Sequence, residues 1–102
     1  MDSKRTLQHI IKVLKQYEPE LRSKYGIKRI GVFGSLVRGE ADNESDLDLL
    51  VEFDEDVEMD LLRFVEIERQ LGELLGRKVD LVEKDVLKPF IGQHILREVV
   101  YP

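Results

Sequence analysis

The sequence predicts an α+β (α/β) domain in which helices alternate with three short strands. Two observations support this class. Apolar residues recur at helical spacing in three segments, whereas three other segments are short runs of β-branched or alternating apolar residues bounded by glycine or polar turns. The chain has 102 residues, the size of one ordinary domain, so we expect a single domain over residues 1–102.

The predicted elements follow in the order α-β-turn-β-α-β-α. Amphipathic spacing predicts the first helix over 4–17. Pro19 is expected to end it or to start a short second helix, because proline does not fit a helix interior. The remaining elements are a strand over 27–33, a turn or single helical turn at 35–39, a strand over 46–53, a helix over 59–75 stopped by Gly76, a strand over 77–82, and a helix that opens at Pro89.

The two later helices each carry apolar residues that we expect to face the core. In the helix over 59–75 these are Met59, Leu62, Val65, Leu71, Leu74 and Leu75. In the last helix they are Phe90, Ile91, Ile95, Leu96 and Val99.

The net charge of −5 conceals a local excess of acid. Residues 42–60 hold ten of the 21 acidic residues and no basic residue. We interpret 54–60 as a solvated acidic loop. A bare acidic patch repels ATP and nucleic acid, so any phosphate bound near it requires intervening cations.

Several classes of protein are disfavoured by composition. No apolar run approaches the roughly 18 residues that span a bilayer, and no secretory signal is visible, so we expect no membrane association. The absence of cysteine excludes thiolate metal sites and is compatible with a cytoplasmic location. Lys4, Lys12, Lys15 and Lys88 are interpreted as solvated helix faces, so no direct nucleic-acid binding is expected. His9, His94 and Tyr101 are interpreted as ordinary surface or packing residues.

Asp46 and Asp48 lie two residues apart in the second predicted strand, so their side chains are expected to project from one face. The alternating residues Leu47, Leu49 and Val51 suit a core. Two adjacent carboxylates repel each other, and a hard divalent cation would neutralise them. Oxygen ligands favour magnesium or manganese. Taken alone, this short motif more often marks two solvent-facing aspartates.

Gly34 and Ser35 carry the first strand into a tight turn. Glycine lets backbone N–H groups approach an anion closely, and serine adds a hydroxyl. Arg38 can bond a phosphate or lock the loop onto a nearby carboxylate. Most Gly-Ser pairs are ordinary turns, and no Walker sequence is present. The combination is more informative, because phosphoryl-type transfer needs both phosphate positioning and charge neutralisation. Ten residues separate Ser35 from Asp46.

Two segments carry a family resemblance: Phe-Gly-Ser-Leu-Val-Arg-Gly at 33–39 and Ser-Asp-Leu-Asp-Leu-Leu-Val at 45–51. They resemble the signature of the DNA polymerase beta-like nucleotidyltransferase superfamily. More narrowly, the chain resembles the minimal nucleotidyltransferases (MNT), which are often paired with HEPN-domain proteins in toxin–antitoxin modules. No motif position departs from the family pattern, which argues against a degenerate member.

The resemblance implies a nucleotidyltransferase-like palm, in which helices flank a three-stranded mixed sheet. It implies that Asp46 and Asp48 bind two Mg²⁺ or Mn²⁺ ions, and that Gly34 and Ser35 hold the phosphates of ATP. The family's third carboxylate comes from a later strand. Asp80 is the candidate here, as a metal ligand and as the base toward the acceptor hydroxyl.

The activity implied by the resemblance is transfer of AMP from ATP to a hydroxyl. The expected acceptor is a tyrosine of a partner HEPN toxin, so that the protein acts as an antitoxin. The lack of a further domain for recognising RNA, DNA or an antibiotic points to a protein acceptor. Two alternatives stay open: a non-catalytic antitoxin that covers its partner's active site, and a transferase acting on an aminoglycoside-like small molecule.

Overall fold

The computed structural model describes residues 3–42, 45–87 and 89–102, with side chains except at 3, 4 and 89–91. The elements are helices α1 (Ser3–Tyr25), α2 (Ser35–Arg38), α3 (Leu61–Leu75) and α4 (Pro89–Glu98), strands β1 (Ile27–Phe33), β2 (Leu47–Phe53) and β3 (Val79–Glu83), and a 3₁₀ turn at Lys84–Val86. The predictions for the Lys4 side chain, Glu44 and Lys88 fall outside the described parts of the chain.

The strands form one mixed sheet in the order β1-β2-β3. β1 is antiparallel to β2, and β2 is parallel to β3. α3 is the crossover that a parallel pair requires. Val32 of β1 also exchanges two backbone hydrogen bonds with Val100, at 2.9 and 2.8 Å. The predicted α+β fold with a three-stranded mixed sheet flanked by helices is confirmed.

α1 differs from its prediction, because it continues through Pro19 to Tyr25. Pro19 therefore neither ends the helix nor starts a second one. Proline costs a helix interior about 3 kcal/mol relative to alanine. Leu14 and Leu21, on either side of it in sequence, are only 0% and 4% exposed. Burying a leucine side chain contributes about 1.5–3 kcal/mol, so these two contacts with the core offset the cost of the proline.

The ends of the other elements lie within two residues of their predicted positions. β2 begins at Leu47 and β3 at Val79. α3 begins after Asp60, whose carboxylate accepts a hydrogen bond from the Arg63 N–H at 2.7 Å. Gly76 ends α3 in the left-handed region, with φ 68°, as predicted.

The inward faces of α3 and α4 differ in part from those predicted. In α3 the buried residues are Ile67 and Leu71, whereas Leu62 is 83% exposed and Val65 is 50% exposed. Ile67, Leu71, Leu74 and Leu75 form the face of α3 that packs on the core, whereas Leu62 and Val65 lie on a different face. In α4, Leu96 is exposed as well. The predictions for Phe90 and Ile91 concern side chains that the structure does not describe.

The two faces of the sheet have different surroundings. One face packs against α1 and α3 and forms the main core, with Leu47, Leu49 and Val51 of β2 no more than 1% exposed. On the other face, Leu50 of β2 pairs with Gly31 of β1. A Cβ on Gly31 would lie 2.6 Å from Val99 and 2.9 Å from Tyr101, so the segment after α4 covers this face.

Tyr101 completes this cover by packing its ring on the Arg29 guanidinium, 3.7 Å from Arg29 Cζ to the ring centre. The prediction of ordinary packing for Tyr101 is confirmed. The loop before α3 is exposed at Glu55, Asp56 and Glu58, as predicted for a solvated acidic segment. None of the helices in the described ranges is long and apolar enough to cross a bilayer.

Candidate active site

The turn after β1 lies directly against the carboxylate of Asp48. Gly34 has φ 84° and ψ −153°, a region that residues with side chains rarely adopt. A Cβ at this position would lie 2.0 Å from Asp48 Oδ2. The Gly34 carbonyl accepts the N–H groups of Val37 and Arg38, at 3.1 and 3.2 Å, and thereby starts α2. Glycine is therefore required both by the backbone and by the neighbouring carboxylate.

Ser35 is the first residue of α2 and is partly exposed. Its carbonyl accepts the Glu40 N–H at 2.9 Å, and Gly39 closes the turn in the left-handed region. The predicted single helical turn at 35–39 is thus present as a compact unit between β1 and the loop leading to β2.

Asp48 and Asp80 are direct register partners across the parallel pair β2 and β3. Neighbouring strands lie about 4.8 Å apart, so the two carboxylates leave the sheet side by side. Asp48 is partly buried, and Asp80 is exposed at the rim. The structure therefore places Asp80 beside Asp48, whereas the sequence alone did not show that their strands are neighbours.

Asp46 is exposed and lies immediately before the first residue of β2. Its charge, together with that of Asp80, acts on Asp48. Burial raises the pKa of Asp48 above its ordinary value, and repulsion from Asp80 and then from Asp46 raises it further. The three predicted carboxylates are thus electrostatically coupled around Asp48.

The donor set is chemically suited to a hard cation, because all three side chains offer carboxylate oxygens. Within the ranges that the structure describes, no three acidic or histidine side chains converge closely enough to form a ready metal cage. Magnesium retains several waters and substrate phosphate oxygens in its shell, so it does not require such a cage. The fit therefore rests on the oxygen donors and on their arrangement around Asp48.

Arg38 locks the loop onto carboxylates, which is one of the two roles considered for it. Its Nη1 donates to Glu98 Oε1 at 2.8 Å, and its Nε donates to Glu40 Oε2 at 3.0 Å. Glu98 Oε2 in turn accepts the N–H of Gly34 at 2.8 Å. A carboxylate from α4 is thus bound at once to Gly34 and Arg38, which are two of the three predicted phosphate ligands.

A cleft of about 490 Å³ opens beside these groups. Its walls include Gly34, Arg38 and Asp48 from the predicted site, together with residues of α4. The full lining is Phe33, Gly34, Arg38, Asp48, His94, Ile95 and Glu98.

Sequence reasoning missed the contribution of α4 to this cleft. His94 is exposed, as interpreted, but it lies on the wall of the site. Glu98 carries no local motif and lies 64 residues from Gly34. The only local signal is that His94, Ile95 and Glu98 occur at helical spacing, which places them on one face of α4.

Comparisons with known proteins show the family to which this chain belongs. The family model described as "Nucleotidyltransferase domain" matches residues 14–101. The protein adenylyltransferase MntA of Thermococcus cleftensis is 51% identical over 96 residues, covering 94% of this chain and 95% of the relative. A solved structure assigned to the minimal nucleotidyltransferases superposes with a TM-score of 0.71 at 38% identity, covering 98% of this chain and 95% of the other.

Two toxin–antitoxin complexes share the fold. A crystal structure of a toxin–antitoxin with AMP-PNP matches with a TM-score of 0.65 at 25% identity, covering 90% of this chain and 68% of the other. The MNT antitoxin bound to the tri-AMPylated HEPN toxin of Shewanella oneidensis matches with a TM-score of 0.58 at 21% identity, covering 97% and 70%. With a matching family model over most of its length and a relative at 51% identity, this chain belongs to the nucleotidyltransferase domain family and is a nucleotidyltransferase.

Proposed function

We propose that this protein transfers AMP from ATP to a tyrosine hydroxyl of a partner HEPN-domain toxin, and so acts as its antitoxin. One structural observation carries the chemistry. Asp48 and Asp80 are register partners on neighbouring strands, and the Gly34 turn lies against Asp48. The turn proposed to bind phosphate and these two carboxylates lie at one end of the sheet, and this supports the proposal because nucleotidyl transfer needs both parts close together.

Gly34 and Ser35 hold the phosphates of ATP in this proposal, with Arg38 adding a charged donor. The oxygen of the acceptor hydroxyl attacks the α-phosphorus. The bond from that phosphorus to the bridging oxygen breaks, and pyrophosphate leaves. The exposed position of Asp80 at the rim suits a base that takes the acceptor proton, since a protein acceptor must approach from solution.

Asp46, Asp48 and Asp80 are the proposed ligands for two Mg²⁺ ions, with Mn²⁺ as a substitute. Bound ions would neutralise the phosphates and the acidic surroundings. The raised pKa of Asp48 supports this assignment, because it reflects burial of the carboxyl group and, after that, repulsion from Asp80 and Asp46.

The acceptor class is supported by two relatives. The relative at 51% identity is named as a protein adenylyltransferase, MntA. The structure at 25% identity is a toxin–antitoxin complex with an ATP analogue. The resemblance of residues 33–39 and 45–51 to the minimal group supplies the HEPN class of partner.

The decisive experiment incubates the purified protein and a HEPN partner with ATP labelled at the α-phosphate. We expect label on the partner with the wild type, and none with Asp46→Asn or Asp48→Asn. Asp54→Asn and Asp56→Asn are matched controls, because they remove the same charge from the neighbouring acidic loop, and they should label normally. Continued labelling by both Asp46→Asn and Asp48→Asn would contradict the catalytic assignment.

A cellular experiment separates catalysis from steric blocking. Cells that express the toxin should be rescued by the wild type and killed when Asp46→Asn replaces it. Full rescue by Asp46→Asn, with intact complex formation, would favour a non-catalytic antitoxin.

A further inference from the structure

The carboxylate of Glu98 lies where the proposed function needs a phosphate. Its Oε2 accepts the Gly34 N–H at 2.8 Å, and its Oε1 accepts from Arg38 Nη1 at 2.8 Å. These are two of the three groups proposed to hold ATP. A carboxylate and a phosphate both present a pair of anionic oxygens to such donors.

The interaction is well formed. The Glu98 side chain is only 20% exposed. Burial acts to raise the pKa of Glu98, but the hydrogen bonds from Arg38 and Gly34 outweigh it and lower that pKa. The carboxylate is therefore ionised near neutral pH and makes charge-assisted hydrogen bonds, which are roughly twice as strong as neutral ones.

The backbone around Glu98 is held on both sides. The Val99 N–H donates to the Ile95 carbonyl at 2.9 Å, and Val100 is bonded twice to Val32 of β1. The Gly34 N–H and Arg38 Nη1 can thus be released by rotation of the Glu98 side chain alone, while the backbone of α4 stays in place. Arg38 would keep its bond to Glu40 while its Nη1 becomes available.

We propose that Glu98 is an internal competitor of the nucleotide: it occupies the phosphate-binding donors of Gly34 and Arg38, and the triphosphate binds by displacing it. This inference rests on the proposed function and assigns to Glu98 a role in setting nucleotide affinity. A purely structural role, in which Glu98 holds Arg38 ready for phosphate, predicts the opposite effect of its removal.

The test is the binding of a non-hydrolysable ATP analogue with Mg²⁺, measured by titration calorimetry. Glu98→Gln keeps the side-chain shape and removes the charge, so the analogue should bind about 5- to 10-fold more tightly. Glu40→Gln is the matched control, since Glu40 binds Arg38 but does not contact Gly34 through any described bond, and it should change the dissociation constant less than twofold. Glu98→Asp, with a shorter carboxylate, should shift affinity in the same direction as Glu98→Gln.

The binding of adenosine provides a second readout. A purely structural role of Glu98 does not predict different effects of Glu98→Gln on adenosine and on the triphosphate. Adenosine lacks phosphates, so Glu98→Gln should leave its binding unchanged while tightening that of the triphosphate. Thermal unfolding of each unliganded variant verifies that it is folded. If the wild type binds the analogue and Glu98→Gln binds it equally or more weakly, the role of Glu98 is overturned and the proposed function stands. If neither protein binds, the proposed function fails as well.

Discussion

At the scale of single residues, the close contact between Gly34 and the Asp48 carboxylate determines which residue can occupy position 34. The close approach of the turn to the carboxylate leaves no room for a side chain on Gly34. Its positive φ adds a second, independent requirement for glycine. A small residue at the end of β1 therefore determines how near the turn proposed to bind phosphate can lie to Asp48.

Gly34→Ala should destabilise the fold by at least about 2 kcal/mol, because backbone strain and a clash with Asp48 add together. Gly39→Ala is the control. Gly39 also has a positive φ, but nothing lies within 4 Å of a Cβ there, so we expect only about 1–2 kcal/mol. Urea denaturation measures both. An equal loss of unfolding free energy in Gly34→Ala and Gly39→Ala would show that Asp48 moves away from the new side chain without destabilising the fold.

Asp48→Asn should abolish AMP transfer and yet stabilise the metal-free protein. Because the pKa of Asp48 is raised in the folded state, its ionised form is disfavoured relative to the unfolded chain. This cost is present above the folded pKa and disappears as the pH falls below the ordinary value of 3.8.

Thermal unfolding between pH 3 and pH 8, in buffer with a chelator, checks this expectation. The melting temperature of Asp48→Asn should exceed that of the wild type at neutral pH, and the two should converge in acid. Asp56→Asn, in the exposed loop, serves as the control. A lower melting temperature for Asp48→Asn at neutral pH would show that the carboxylate stabilises the fold through contacts outweighing the repulsion.

At the scale of elements, local patterns predicted the strands well because their determinants are local. β1 is rich in β-branched residues and is followed by Gly34, and in β2 the partly exposed Asp48 lies between the buried Leu47 and Leu49. The path of α1 was not predictable in this way, since proline is a local signal for an end and the packing of Leu14 and Leu21 is not local. The same limit explains why Leu62 and Val65 of α3 are exposed although they were predicted to face the core.

Pro19→Ala should stabilise the protein by about 1–3 kcal/mol, because it restores a backbone donor to an intact helix and removes the steric conflict of the ring. Glu20→Ala, an exposed neighbour, should change stability by less than about 0.5 kcal/mol. Chemical denaturation monitored by circular dichroism measures the free energy of unfolding of Pro19→Ala and of Glu20→Ala. A destabilised Pro19→Ala would mean that the proline shapes the packing of α1 on the sheet.

At the scale of the whole molecule, the site is assembled from distant parts of the chain. Gly34 and Asp48 could be predicted as site residues from the sequence because the spacing between their two motifs is short and characteristic. The contribution of α4 to the cleft could not be predicted, because Glu98 is separated in sequence from Arg38 by 60 positions and from Gly34 by 64. No periodicity or motif in one sequence encodes such a pairing.

Magnesium should stabilise the folded protein as a whole. An ion that binds only the native state contributes about 1.4 kcal/mol at ten times its dissociation constant, which corresponds to several degrees in melting temperature. The double variant Asp46→Asn, Asp48→Asn should lose this response. Replacement of Asp54 and Asp56 by asparagine should preserve it. If magnesium still raised the melting temperature of the variant with both Asp46 and Asp48 replaced, the ions would bind elsewhere, for example in the acidic loop.

The bridge between Val32 and Val100 has a consequence for biosynthesis. Strand β1 is made early, but its outer edge can pair with Val100 only after the segment that follows α4 has been made. At about 5–20 residues per second, the sheet and the Gly34 turn leave the ribosome seconds before residues 94–100. The newly made chain therefore passes through an interval in which the turn proposed to bind phosphate exists without Glu98 or the α4 wall.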